Sequence, residues 1–146
     1  MAENVVTLLQ RLMETARDAE RGFRTAVSAV DDPAIRRLFA AYAEQRADFA
    51  RELAEEIRRL GGTPQRRGSV AGALHRALLN LRAAVTGRDE VAVLDEAERG
   101  EDAAVRAYRE ALAVRELPAD VRSVIARQAV RVEETHDCLR DLKRAA

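Results

Sequence analysis

The chain has 146 residues, 47% of them hydrophobic, 3% aromatic and 34% charged, and its 25 Lys and Arg balance 25 Asp and Glu to a net charge of zero. That length allows one domain with a real core, and an abundance of Ala, Leu, Val, Arg and Glu is the profile of helices. Charge balance without a long basic run argues against nucleic acid or an anionic membrane as partner; no stretch approaches the ~20 uninterrupted apolar residues of a membrane span; and the single Cys138 excludes an internal disulfide and points to a reducing, cytoplasmic setting.

The first residues lack a basic region followed by an apolar run, so no signal peptide is expected. A first helix is predicted over about residues 4–30, starting at Asn4 or Glu3. Its seam reads Leu9, Met13, Ala16, Glu20, Phe23, Val27 and Val30 in alternating steps of four and three, which sets the Glu20 carboxylate among core side chains. Asp31, Asp32 and Pro33 then break the chain, with aspartate as cap and proline at the first position of a second helix over about 33–60. That helix turns Ile35, Leu38, Phe39, Tyr42, Phe49, Leu53, Ile57 and Leu60 inward, and Arg46 is the one inward position at odds with a core. Gly61, Gly62, Thr63 and Pro64 end it.

Residues 61–87 form a long connection. Within it Ser69 caps a shorter helix over about 69–86, whose stripe of Val70, Leu74, Leu78, Leu81 and Val85 suits the outside of a bundle, with His75 beside the stripe. A third long helix is predicted over about 89–114. Its ladder of Val91, Leu94, Val105, Tyr108 and Leu112 runs on through positions 98 and 101, so Glu98 and Glu101 fall where a bundle helix ordinarily puts Leu. Leu117 to Asp120 turn the chain into a last helix over about 119–143, with Val121, Ile125, Gln128, Val132, Leu139 and Leu142 inward and His136 at the edge. Two hairpins of long helices joined by a traversing segment make a single domain over residues 1–146: an all-α four-helix bundle with a long crossover containing an additional shorter helix. Helices of about 26 residues are about 39 Å long, a length the connection can cross.

Counting outward from the turns brings the misplaced polar residues to one depth. Glu20 and Glu44 stand equally far from Asp32, and Glu98 and His136 equally far from Leu117. Glu20, Arg46, Glu98 and Glu101 are therefore expected to form one polar layer, in an interior where an unpaired charge is very costly. Residues 18–22 and 96–100 also echo one another, as Asp-Ala-Glu-Arg-Gly against Glu-Ala-Glu-Arg-Gly, through a duplicated hairpin or through chance in an Ala-, Glu- and Arg-rich chain. Gly22 and Gly100 each cost about 1 kcal/mol relative to Ala inside a helix, so a close approach, by the crossover helix, is expected there.

The runs DAERGF, RADFAREL, LGGTP, GSVAGALHRALLNLRAAVTGRD, EAERGEDAAVRAY and HDCLRDL, in this order, resemble the bacterial ferritin-like four-helix-bundle family of unknown function first named from a pseudomonad conserved hypothetical protein. The resemblance covers nearly the whole chain and implies a ferritin-like fold and a bacterial origin, with no established activity. Di-iron proteins of ferritin-like fold use a Glu from each of two helices and a Glu-x-x-His from each of the other two. Here Glu20 fits the first helix, Glu98 or Glu101 the third, and Glu133 with His136 the fourth. The second helix departs, because Glu44 is followed three residues later by Ala47 and Arg46 faces inward.

Two readings follow. In one, Glu20, Glu98, Glu101, Glu133 and His136 supply hard oxygens and an imidazole nitrogen to iron or another divalent metal, as one ion near Glu98, Glu101 and His136 rather than two. In the other, Arg46 neutralises the carboxylates while Gln128 and His136 complete the hydrogen bonds and His75 ties the crossover to the bundle. The layer then fixes helix register in a non-catalytic or stress-associated protein that works through association with itself or a partner. Ala-rich exposed faces permit a homo-oligomer without requiring one. Glu133 points away from the apolar stripe of its helix, and Cys138, lacking a partner, reads as inert. No P-loop, dinucleotide fingerprint or Gly-x-Ser-x-Gly elbow argues for an enzyme.

Overall fold

The structure, a computed structural model, describes residues 2–65 and 90–146. These fold into α1 (Ala2–Val27), α2 (Pro33–Arg59), α3 (Glu90–Leu112) and α4 (Ala119–Ala145). The expected helix over 69–86, with its apolar stripe and His75, lies outside the described residues.

Each boundary has a local cause. The first helix runs past Asn4, which is exposed inside it, so neither Asn4 nor Glu3 acts as the expected cap. It stops at Val27, short of the expected Val30. The amides of Ser28 and Ala29 turn to the carbonyls of Thr25 and Ala26, and the Ser28 hydroxyl donates to Thr25 O at 2.9 Å. Such tightening of the last turn satisfies carbonyls that a helix end leaves free. Asp32 caps α2 as expected, its Oδ1 accepting from Ala34 N at 2.8 Å, with Pro33 at the first helical position. At the other end Gly61 takes φ +83°, while the amides of Gly61 and Gly62 close on Arg58 O and Ile57 O. This is a Schellman stop, and only glycine reaches that φ cheaply. α3 ends at Leu112 rather than Val114 because the Arg122 guanidinium crosses from α4 and donates to Leu112 O and Val114 O.

α1 packs on α2 and α3 on α4, and contacts of α1 with α3 and of α2 with α4 close the square. α2 and α3 therefore stand on a diagonal. The apolar interior divides into two clusters. One holds Leu9, Leu12, Met13, Phe49, Leu53, Ile57, Tyr108 and Ile125, and the other holds Phe23, Phe39, Val93, Leu94 and Leu139. Between them the interior turns polar. Leu94 is buried as expected, but Val91, expected on the same ladder, is 43% exposed, and Val93 takes the core instead. Among the described residues no helix is long and apolar enough to cross a membrane.

Candidate functional site

Arg46 and Glu101 meet across that diagonal. Arg46 Nη1 donates to Glu101 Oε1 at 2.6 Å and Nη2 to Oε2 at 2.5 Å, and each side chain is only 2% exposed. The guanidinium carbon lies 5.5 Å from the Phe23 ring centroid and 5.8 Å from that of Phe49, and Nε donates to Gln45 Oε1. A planar fork matched to a carboxylate and flanked by aromatic rings is work for which Lys is no substitute.

A second polar tier lies two turns along α3. The Tyr108 hydroxyl donates to Gln128 Oε1 at 2.6 Å, and Gln128 Nε2 donates to Phe49 O and Glu52 Oε1. Burial pushes the Tyr108 hydroxyl well above the ordinary phenol range; Arg46 opposes this, and Glu101 and Glu52 add to it. Arg127, hydrogen-bonded to Glu52 at 2.7 Å, holds that carboxyl below its usual range against the pull of burial. Tyr42, tilted on Phe23 at 5.4 Å, is raised by burial and then by the Cys138 thiol beside it. Sequence periodicity read Tyr108 as plain core; its position seven residues beyond Glu101 on the same face is the signal that ties it to the polar interior.

The remaining candidates do not converge. Glu20, expected on the seam, is 25% exposed and accepts from Arg24, which also reaches Glu44 at 3.5 Å. Ala26, rather than Val27, fills the core beyond it. Glu98 is buried about one turn before Glu101 on α3, where Lys143 Nζ donates to it and to Asp95 at 3.1 Å each. Those two bonds raise the lysine above its ordinary range. His136 pairs with Asp102 at 2.6 Å, one turn from the Glu98 expected, and with Asp137 at 3.2 Å. Desolvation pulls its pKa down, but the two carboxylates outweigh it and the imidazole is raised above 6.5. Glu133 is exposed and meets Arg109. Gln10, which the seam did not flag, is buried and clasps the Gln65 backbone, accepting from its N at 3.0 Å and donating to its O. Around Gly22 and Gly100 nothing among the described residues comes within 4 Å of an added Cβ, and the crossover helix expected to approach there lies outside the described residues.

The arrangement is that of an all-α, ferritin-like four-helix bundle, and a structural comparison supports that class. A Dps1 mutant from Mycobacterium smegmatis matches with a TM-score of 0.78 over 97% of this chain and 96% of that one, at 16% identity. Residues 4–114 match the family described as a domain of unknown function, DUF2383, and the chain belongs to that family. No curated protein matches it.

A metal centre of the ferritin-like kind needs carboxylate oxygens free to ligate. Here Arg46 takes both oxygens of Glu101, Lys143 holds Glu98, Arg24 holds Glu20 and Arg109 holds Glu133. Among the described residues no group of three or more His, Cys, Asp or Glu side chains is placed to hold an ion. Among the described residues, the donors as folded do not fit such a centre.

Proposed function

We propose that the chain is a non-catalytic ferritin-like bundle of the bacterial cytoplasm, held in register at its middle by its own guanidinium and working through association with copies of itself. The observation that supports this most is the Arg46–Glu101 fork, which uses up the most deeply buried carboxylate among the described residues. Taking two charges out of water is expensive, and their attraction rewards only the helix alignment that pairs them. What supports association is the groove along α1 and α2, open among the described residues. Protein purified without tag or chelator should carry less than about a tenth of an equivalent of iron or other divalent metal. It should not accelerate Fe(II) oxidation in air, and it should sediment as an assembly. About one equivalent of tightly held metal, or Fe(II) oxidation lost on Glu101→Ala in a still-folded protein, would establish the rival iron reading instead.

A further inference from the structure

A notch of about 380 Å³ opens along the seam between α3 and α4. Asp102, Arg106 and Arg109 stand on its α3 wall, at spacings of four and three that keep them on one face of the helix. Glu133, His136, Asp137 and Arg140 stand on its α4 wall. Two ties join the walls, His136 with Asp102 and Arg109 with Glu133. Arg106 lies between those ties, exposed, and has no hydrogen-bond or ion-pair partner among the described residues. We propose that this notch binds a phosphate group, free or carried on a small ester, with Arg106 as its main donor and Arg109 and Arg140 closing on it from the two walls.

The balance of donors against acceptors carries the inference. Every carboxylate of the notch is already answered: Asp102 by His136, Asp137 by His136 and Arg140, and Glu133 by Arg109. The guanidiniums are not used up in return. Arg109 commits Nε and Nη2 to Glu133, and Arg140 commits Nε to Asp141 and Nη1 to Asp137. Arg109 Nη1, Arg140 Nη2 and the whole of the Arg106 fork are therefore left without an acceptor among the described residues. These groups cannot shed their charge, so an anion is the ligand they suit, and a cation would find the carboxylates occupied. A carboxylate ligand offers oxygens along one edge only. Donors arriving from two walls suit a tetrahedral oxyanion, whose oxygens point in several directions and accept from more than one fork. The volume exceeds that of a single phosphate ion and falls at the small end of ligand sites, which leaves room for a short ester group.

Calorimetric titration of the full chain in low-salt buffer at neutral pH tests the site, with inorganic phosphate and phenyl phosphate as probes. Inorganic phosphate should bind with a Kd of about 1 mM. Arg106→Gln should weaken it about tenfold or more while circular dichroism stays helical, and Glu133→Gln, by releasing Arg109, should tighten it about threefold. Two controls lie outside the notch: Arg36→Gln on α2 and Glu134→Gln on α4, both at exposed positions, should leave binding unchanged. Phenyl phosphate binding as tightly as the free ion, or more tightly, makes the ligand an ester; binding of inorganic phosphate alone makes it the free ion; either result upholds the site. Absence of binding by both probes up to about 20 mM overturns it. So does a loss on Arg106→Gln no greater than on Arg36→Gln, or a gain on Glu133→Gln matched by Glu134→Gln, since either would reduce the effect to overall charge.

Discussion

Replacing Arg46 by Leu removes the only group among the described residues seen to hydrogen-bond the Glu101 carboxylate, itself 2% exposed. Breaking a buried pair from one side costs about 3–5 kcal/mol, because the charge left behind has neither water nor partner. Losing the guanidinium between Phe23 and Phe49 adds about 1–2 kcal/mol. Set against a total stability of about 5–15 kcal/mol, this is a large fraction, and Tm should fall by about 10 °C or more. Arg46→Leu with Glu101→Leu removes both charges and replaces them with apolar volume, so the double variant should lie within about 1–2 kcal/mol of wild type or above it. Urea unfolding followed by circular dichroism measures all four corners of the cycle, with unchanged slopes confirming that only stability has moved. A single change costing under about 1 kcal/mol, or a double variant no better than the single, would refute the reasoning.

Two pH effects follow. The His136 imidazole is raised above 6.5 by its carboxylates, so the stability it contributes is full below 6.5 and is lost as pH climbs through the higher folded value. Asp102→Asn should flatten that slope in urea midpoints compared between about pH 5.5 and about pH 9. Burial, helped by Glu14 and opposed by Arg21, pushes Asp18 from 3.8 up to about 6. A raised carboxyl burdens the folded state above the folded value and not below the unfolded one. Asp18→Asn should therefore raise the urea midpoint at about pH 7.5 and leave it unchanged near pH 3.5, and a gain of equal size at both would rule the effect out.

Arg46 and Glu101 were legible because each interrupts an apolar ladder whose period is otherwise kept, and an interrupted ladder inside a bundle demands a partner. Gln128 was legible for the same reason. Glu20 was not. A strict alternation of four and three drifts by about 20° per heptad against a straight helix, so positions assigned far along α1 rotate off the core. Ala26 is buried while Val27 is only half so, and the same drift leaves Glu20 at the edge. The error at Val91 belongs with it, since the first turn of α3 points its seam one or two residues later. Partners across the α3–α4 hairpin were off by a turn, because the chain there uses Arg122 to end α3 early. Periodicity says which face a residue takes. It does not say which of several arginines on a neighbouring helix will reach it.

The reach of Arg46 across the diagonal has a consequence for how the molecule comes together. Its partner is 55 positions away in the chain, and the two sit on helices that face each other across the diagonal of the bundle. A contact closing so long a loop cannot help either hairpin to form; it becomes available only after both have docked, at the end of the climb. The fork thus serves as a latch and not a scaffold: it leaves the speed of assembly alone and lengthens the life of what has been assembled.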